Sequence, residues 1–496
     1  MTTQGEPLRV TAIAGTAELG GAERVLLDFA NRAFEHDIAL KVLFPADGPL
    51  VGILNKIGVP AEVVPAPTSL QHGFRRGQWY RPSSLAGMLL WSRRLRRHPF
   101  VLEADVIYTV AFRAHVAATW GGLHPVVWHL HKFPPVAARG TWLGTARKRP
   151  ARLIANSEAV AEGWGENRER GKGKGEEDRT PGSGKRETGG RGHVTVIHNG
   201  VNLDRFHPRE RSYWIHDQLG IPRGHRLVGM PAVYARWKGH FEVIAAFEQI
   251  CEEFPDTHLV IVGGSIYDTE AEHQFGEELR QVTGEFRVVV SGGQEGVAGR
   301  GDKGKGKGEK GKEKEKGKRE RGKEPERERG GKGERGPRDE PDSERMRNGG
   351  YAEMVQAGIP NVHLLPFQRE IEKAYPEFDL AVHYSLRPEP FGRVVLEAMA
   401  CAVPIVAAGE GGPVEVLGEG IGPRREAGWL AEPRNPAALA RIFRSALSLP
   451  TDVLRSIGMA GRRRAEDHFS ARTFAGKVAE VLREAGVGRG TTDPYV

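Results

Sequence analysis

The sequence predicts an α/β protein of two doubly wound domains, each a parallel β-sheet with helices on both faces. Three observations predict this fold. Short apolar runs alternate with helical patterns along the chain, 496 residues exceed what one hydrophobic core usually organises, and thirteen predicted strands are too many for one sheet. Two such domains facing each other would place a ligand site in the cleft between them, beyond the carboxyl ends of the strands.

The predicted strands follow the chain in two sets. The first set is 8–14, 38–44, 61–64, 105–110, 126–130, 153–155 and 194–197, and the second is 227–231, 258–262, 362–365, 380–383, 404–407 and 428–430. The turn-forming segment 198–202 separates them. We therefore predict an N-terminal Rossmann-like domain over residues 1–200, a C-terminal one over 201–470, and a helix within 471–496 that packs back on the first domain and ends in a flexible tail.

Two segments interrupt this alternation, at about 163–193 and about 292–349, and both are rich in Gly, Lys, Arg and Glu. Residues 163–193 and 301–350 contribute seven of the eight formal positive charges, so the net charge does not indicate a nucleic-acid enzyme. Their composition cannot bury enough apolar surface to offset the ordering entropy, which predicts disordered surface inserts. A tolerated loop expansion is favoured over a polyelectrolyte tether for nucleic acid or anionic membrane.

Cysteine usage and the apolar runs bear on location. Cys251 and Cys401 are too few for a disulfide framework and are predicted to be core thiols of a reducing compartment. Residues 1–7 lack the pattern of a signal peptide, and no apolar run reaches membrane-spanning length. We expect a cytoplasmic protein, with peripheral membrane contact through the basic, aromatic stretch from Phe74 to Arg97 as one hypothesis. A helix with solvated arginines is the favoured explanation of that stretch.

Glu389 and Glu397 lie where carboxylates are unexpected. A break at Pro390 and Gly392 precedes a run of helix formers without a polar face, which predicts a buried helix. Glu397 would lie inside this helix, where an unpartnered charge costs several kcal/mol. Glu389 precedes the first turn, whose free N–H groups attract anions, and Gly392 would let a ligand approach the backbone. A ligand with a negative group and several hydroxyls would satisfy both carboxylates.

A pair of glycines, Gly20 and Gly21, separates the first strand from a helix that runs through Val25, Leu26 and Phe29. Strand, glycine turn and helix together let backbone N–H groups face a phosphate. The spacing matches neither the dinucleotide fingerprint nor the phosphate-binding loop, so a turn that needs flexible residues explains the pair equally well.

Three further side chains are predicted at the carboxyl ends of strands. Arg236 and Lys238 follow a strand of the second domain and could bracket a diphosphate, with solvated loop cations as the alternative. His131 shares a strand face with His129 and could hydrogen-bond a substrate hydroxyl or stabilise charge. A core histidine is the alternative for both and the favoured one for His129. The chain contains no Asp-x-Asp, G-x-S-x-G or zinc-ligand spacing.

These residues, in this order, resemble the retaining glycosyltransferases of the GT-B fold called glycosyltransferase family 4. The resemblance covers nearly all of the chain outside the inserts and rests on segments 19–24, 155–160, 196–202, 236–239, 388–400 and 411–415. The run that contains Glu389 and Glu397 corresponds to the E-x7-E signature of that family. The resemblance implies two Rossmann-like domains across a cleft, with the nucleotide-sugar donor held by the C-terminal domain.

The resemblance also implies roles for the donor-binding residues. Glu397 would accept hydrogen bonds from the ribose hydroxyls. Glu389 would hold hydroxyls of the donor sugar, together with the backbone N–H groups of Phe391, Gly392 and Arg393. No metal ion or other cofactor is expected, because the nucleotide-sugar itself is the donor substrate.

The remaining implied roles concern the leaving group and the acceptor. Arg236 and Lys238 would neutralise the diphosphate, the turn at Gly20 and Gly21 would approach it, and His131 would lie beside the transferred sugar. We therefore expect Glu389, His131, Arg236 and Lys238 to be catalytic in sugar transfer to a saccharide or lipid-linked acceptor, in polysaccharide, glycolipid or cell-envelope biosynthesis, with no specific nucleic acid as partner. A nucleotide-sugar epimerase of the same fold and a non-catalytic binding protein with polyelectrolyte inserts are the alternatives.

Overall fold

The computed structural model describes residues 6–71, 82–134, 150–165, 194–265, 269–283, 359, 361–418 and 427–487. Several predictions lie outside these ranges. They are the first insert beyond Gly165, the whole of the second insert, residues 74–81 of the basic stretch, and the tail after Val487.

Thirteen strands in the described ranges form two parallel sheets. They are β1 (Leu8–Ile13), β2 (Ile38–Phe44), β3 (Ala61–Val63), β4 (Val106–Thr109), β5 (Val126–Leu130), β6 (Arg152–Ala155), β7 (Val194–Val196), β8 (Arg226–Pro231), β9 (Thr257–Gly263), β10 (Val362–Pro366), β11 (Leu380–His383), β12 (Ile405–Ala408) and β13 (Gly428–Ala431). The orders are β3-β2-β1-β4-β5-β6-β7 and β10-β9-β8-β11-β12-β13. Every predicted strand is present with its ends within one residue, so the prediction of two doubly wound sheets is confirmed.

Helices in the described ranges cover both faces of each sheet. They are α1 (Gly21–Ala30), α2 (Pro49–Lys56), α3 (Thr68–Gln71), α4 (Pro82–Arg96), α5 (Pro99–Glu103), α6 (Phe112–Trp120), α7 (Glu158–Trp164), α8 (Trp214–Leu219), α9 (His240–Glu248), α10 (Glu270–Thr283), α11 (Arg393–Ala400), α12 (Gly412–Leu417), α13 (Pro436–Leu447), α14 (Thr451–His468) and α15 (Ala471–Val487). Short 3-10 turns occur at Ala33–His36, Arg236–Lys238, Ile371–Lys373 and Tyr375–Glu377. Because helices cover both faces, a strand such as β9 is buried at every position.

Each sheet is packed between two apolar layers. In the first sheet, Val10 and Ala12 belong to one layer, whereas Ile13, on the opposite side of β1, belongs to the other. Helix α15 joins the first of these layers through Phe474 and Val478, so the chain returns to the first sheet after completing the second. Of the two free cysteines, Cys401 is buried as predicted and Cys251 is half-buried.

The two connections between the sheets pair with each other. The N–H of Val201 donates to the carbonyl of Phe469 at 2.8 Å, and the N–H of Ala471 donates to the carbonyl of Val201 at 2.9 Å. Gly200 permits this approach, because a Cβ there would lie 2.6 Å from Cα of Ala471. The predicted junction therefore forms a short crossover that fixes where the two sheets meet.

A further contact joins the sheets through Glu415 on α12. Its Oε2 accepts hydrogen bonds from the N–H of Glu158 and from Nε2 of His198, both at 2.8 Å, and its Oε1 accepts from the N–H of Ala159 at 3.0 Å. A carboxylate at a helix N-terminus satisfies free N–H groups and stabilises the dipole. Glu415 thus binds the second sheet's domain to the start of α7 in the first.

Among the residues that the structure describes, no helix is long and apolar enough to cross a membrane.

Candidate active site

The loop between β11 and α11 carries the central residues of the candidate site. It is held against the start of α12, because the N–H of Gly412 donates to the carbonyl of Glu389 at 2.8 Å. Gly392 ends the loop with a φ of +89°, and a Cβ there would lie 2.9 Å from Cγ of Pro413. The structure therefore gives a reason for Gly392 other than ligand approach, namely its left-handed backbone and its close packing.

Glu389 is buried and has several partners on one oxygen. Its Oε1 accepts hydrogen bonds from Nζ of Lys238 and Oγ of Ser385, and Nε2 of His383 lies 3.0 Å away without the alignment of a hydrogen bond. Burial alone would raise the pKa of Glu389. The neighbouring His383 and Lys238 outweigh it and hold this pKa well below the usual range for a carboxyl. Glu389 is therefore charged and oriented at neutral pH.

The two predicted diphosphate cations lie in the 3-10 turn between β8 and α9, but they point in different directions. Lys238 is 14% exposed and contacts Glu389. Arg236 is 62% exposed, forms an ion pair with Glu278 on α10 and lies over the ring of Phe275. The alternative of a solvated loop cation thus fits Arg236 in this structure and does not fit Lys238.

Glu397 lies in α11 and is also partnered. Tyr375 Oη donates to its Oε2 at 3.1 Å, and Nε of Arg393 lies 3.4 Å from its Oε1. The protein itself therefore supplies partners for both buried carboxylates. Burial of Glu389 and Glu397 is compatible with a ligand but does not require one.

The turn at Gly20 and Gly21 leads into α1 without strain. Gly20 has an extended backbone with a φ of −75°, and a Cβ on Gly21 would meet no heavy atom of the described residues within 4 Å. The alternative that flexible residues are needed for the turn therefore finds no support in the geometry. Gly20 at the N-cap has no side chain to cap this end of α1, while the carboxyl of Glu23 in the first turn interacts with its own backbone N–H. The other N–H groups of a helix's first turn can face an anion.

His131 follows β5 in the first domain and is close enough to Arg393 of the second domain to feel its charge. Both of its ring nitrogens are buried and without a hydrogen-bond partner among the described residues. The centroid of its ring lies 4.0 Å from the centroid of the His129 ring. Burial, followed by the positive charges of Lys132 and Arg393, lowers the pKa of His131 to about 3, so the ring is neutral at neutral pH. His129 is a core residue that hydrogen-bonds Tyr108 Oη through Nδ1 at 2.5 Å.

Sequence reasoning missed four residues that contact the predicted ones. His383 and Ser385 contact Glu389, Tyr375 contacts Glu397, and Asp28 contacts Arg393. The available signal for His383 and Ser385 was their position at the carboxyl end of β11, where ligands bind in parallel sheets. Tyr375 and Asp28 carry no such signal, because a tyrosine beside a strand and an acid on a helix are ordinary features.

Within the described ranges, no group of three or more His, Cys, Asp or Glu side chains is arranged to hold a metal ion.

Comparisons with known protein sequences give short matches. Residues 351–464, which include both glutamates, match the family described as "Glycosyl transferases group 1". Alpha-1,3/1,6-mannosyltransferase alg-2 of Neurospora crassa is 32% identical over 106 residues, which are 21% of this chain and 21% of that one. A probable sucrose-phosphate synthase of Thermosipho melanesiensis is 42% identical over 60 residues, 11% of this chain and 13% of that one. The chain thus spans about a fifth or less of the curated relatives it matches.

Solved structures match over almost the whole length. HepE from Anabaena in complex with UDP and glucose has a TM-score of 0.59 at 20% identity and covers 96% of this chain and 99% of that one. Sucrose-phosphate synthase from Thermosynechococcus elongatus has a TM-score of 0.62 at 15% identity, and the match covers 97% of this chain and 100% of that one. A glycosyltransferase from Rickettsia africae has a TM-score of 0.63 at 16% identity, and the match covers 97% of this chain and 99% of that one. At such identities the likeness establishes the fold, which is the two-domain GT-B architecture.

Proposed function

We propose that this protein is a glycosyltransferase of family 4 type, which transfers a sugar from a nucleotide-diphosphate-sugar to an acceptor hydroxyl with retention of anomeric configuration. The observation that carries the proposal is the placement of two buried carboxylates beyond the carboxyl end of β11, with Glu389 in the loop before α11 and Glu397 in the second turn of α11. The match of residues 351–464 to a glycosyltransferase family supports it.

The donor would lie along the N-terminus of α11. Glu389, charged and oriented by Lys238, would accept hydrogen bonds from sugar hydroxyls, and Glu397 would accept them from the ribose diol. Cleavage of the sugar–phosphate bond leaves a diphosphate anion, so stabilising the leaving group is the main electrostatic requirement. Lys238 and the backbone N–H groups of Phe391, Gly392 and Arg393 would meet it. Arg236 would join them only after leaving Glu278.

The first domain would contribute His131 and the uncapped start of α1 at Gly20 and Gly21. A neutral imidazole can donate from one nitrogen and accept at the other, which suits a contact with a sugar hydroxyl. The N–H groups of α1 would face the diphosphate from the side opposite to Lys238. We propose that the reaction needs no metal ion and that the leaving phosphate takes the proton of the acceptor hydroxyl.

We further propose a saccharide or lipid-linked acceptor and a site of action in the cytoplasm or on the inner face of the membrane. Helix α4 supports the lipid-linked case, because Leu89 and Leu90 are exposed beside the exposed Arg93 and Arg94. Flotation of the protein with vesicles of anionic or neutral phospholipid tests this contact. Binding to neither kind of vesicle, or binding unaffected by salt, would remove the membrane from the proposal.

Nucleotide binding is the first test of the proposed function. Thermal unfolding is measured with UDP, GDP, ADP and their sugar forms, for the wild type and for Glu397→Ala. A bound nucleotide raises the melting temperature by mass action, and we expect one base to do so for the wild type only. If no nucleotide shifts the wild type, or if the variant shifts equally, the donor site is wrongly assigned.

Product analysis then separates the alternatives. The stabilising nucleotide-sugar is incubated with saccharide acceptors, with and without EDTA, and the anomeric configuration of the product is read by NMR. Epimerised donor without transfer would indicate an epimerase. Nucleic-acid binding that disappears on deletion of residues 301–350, with Glu397→Ala having no effect, would indicate a binding protein.

A further inference from the structure

We infer that Asp28, on the first domain, is a positioning residue for Glu397, the carboxylate proposed to bind ribose on the second domain, and that it acts through Arg393. The inference rests on the proposed function and extends it. It assigns to α1 a role in nucleotide binding that neither the sequence pattern nor the resemblance gives to Asp28.

Helix α1 and the residues that follow it carry charged side chains toward the second domain. Arg24 and Asp28 are four residues apart and share one face of α1, and Arg32 lies just after the helix ends. Arg32 Nη2 pairs with Asp204 Oδ2 at 2.8 Å, and Asp28 Oδ2 accepts a hydrogen bond from Arg393 Nη1 at 3.0 Å. The first domain thus makes one ion pair from α1 beside the proposed donor site and a second one from Arg32, just after α1.

Arg393 lies between two carboxylates, one from each domain. The side chains of Asp28, Arg393 and Glu397 are 13%, 16% and 9% exposed, so solvent screens their charges only weakly. Arg393 makes a hydrogen bond to Asp28, whereas its Nε lies 3.4 Å from Glu397 without a hydrogen bond. The guanidinium is therefore held mainly by Asp28 and only loosely by Glu397.

Because Asp28 holds the guanidinium of Arg393, Glu397 remains available to a ribose diol. If Asp28 loses its charge, Glu397 becomes the nearest anion to a buried guanidinium, whose planar fork matches a carboxylate with two parallel hydrogen bonds. Such a pair would occupy both oxygens of Glu397. Asp28 thus keeps Arg393 off Glu397, and because it comes from the opposite domain, the nucleotide site is complete only when α1 is docked.

The test compares nucleotide affinity in a set of variants. The Kd of the nucleotide found by thermal shift is measured by calorimetry at pH 8, because burial raises the pKa of Asp28, although Arg393 opposes the rise. We expect Asp28→Asn to weaken binding by about tenfold or more, the range of coupling between contacting charges. Asp28→Glu should recover most of the loss. Asp204→Asn, which removes the ion pair with Arg32 just after α1, should bind as tightly as the wild type.

The double variant D28N/R393Q distinguishes this relay from a loss of structure. Without the guanidinium of residue 393, Glu397 cannot be drawn into an ion pair. The double variant should therefore bind the nucleotide more tightly than Asp28→Asn and about as tightly as Arg393→Gln alone. The backbone N–H of residue 393 is retained in both. Additive losses in the double variant would overturn the relay, as would Asp28→Asn binding as tightly as the wild type. A wild type that binds no nucleotide would overturn the proposed function and this inference with it.

Discussion

Glu389 in the second domain and His131 in the first differ in their surroundings. Glu389 is buried with Lys238 and Ser385 on one oxygen, and His383 and Lys238 hold its pKa down and keep it charged. His131 has no hydrogen-bond partner among the described residues, its orientation comes from packing on His129, and burial keeps it neutral. Around these two residues, the second domain thus supplies charged partners and the first domain supplies packing.

The largest expected effect comes from removing the charge on the second domain's side. Lys238→Ala should lower kcat by about a hundredfold to a thousandfold, as loss of one preorganised charge at a transition state does. It also removes a cation that holds down the pKa of Glu389, so the acid limb of the rate profile should move to higher pH. The measurement is the pH dependence of initial sugar-transfer rates.

The matched control for this variant is Lys238→Arg, which keeps the charge in a different shape. It should retain the wild-type pH limb even if its rate falls. If Lys238→Ala has the wild-type pH profile, Glu389 does not depend on Lys238 for its charge. That result would contradict the role of charged partners around Glu389 in the second domain.

The next effect concerns His131, where geometry rather than charge should decide the outcome. His131→Leu removes both ring nitrogens and should lower kcat by about a hundredfold, the size of a typical hydrogen-bonding contribution to proton-transfer or hydroxyl contacts. His131→Asn keeps one donor and one acceptor and should lose less. Initial rates at saturating donor measure both. Equal losses in the two variants would show that hydrogen bonding by His131 is unimportant.

The contrast also explains which parts of the molecule could be predicted from the sequence. All thirteen strands of the described ranges were predictable, because apolar runs buried on both faces carry a strong signal. Glu389 and Glu397 were found because a charge in an apolar run is conspicuous. The residues that contact the site residues were not predictable, since contacts such as those of Tyr375 and Asp28 join residues distant in sequence. The outward direction of Arg236 was not predictable either, because it follows from Glu278 on another element.

A third prediction concerns stability and pH. The pKa of His131 is lowered to about 3, while in the unfolded chain it returns to about 6.5, so between these values only the unfolded chain binds the proton. The contribution of neutral His131 to the free energy of unfolding is therefore fully present above pH 6.5 and is lost as the pH falls below that value. Between pH 7 and pH 5, His131→Asn should lose up to about 2 kcal/mol less unfolding free energy than the wild type. Urea unfolding at both pH values measures it, and equal losses would contradict a buried neutral ring.

The smallest expected effects come from two glycines, one at the start of α11 in the second domain and one at the start of α1 in the first. Gly392 has a φ of +89° and packs against Pro413, so Gly392→Ala should destabilise the fold by about 1–2 kcal/mol. Gly21 has open space at its Cβ position, so Gly21→Ala should change stability by less than about 0.5 kcal/mol.

Gly21→Ala should nevertheless change nucleotide binding. Gly21 is the exposed first residue of α1, and a methyl group there would hinder a diphosphate from approaching the N–H groups of the first turn. Gly21→Ala should therefore raise the Kd for the nucleoside diphosphate while its melting temperature stays at the wild-type value. The corresponding nucleoside, which lacks phosphates, is the control ligand and should bind the wild type and Gly21→Ala equally. An unchanged Kd for the diphosphate would mean that the first domain approaches the leaving group elsewhere than at α1.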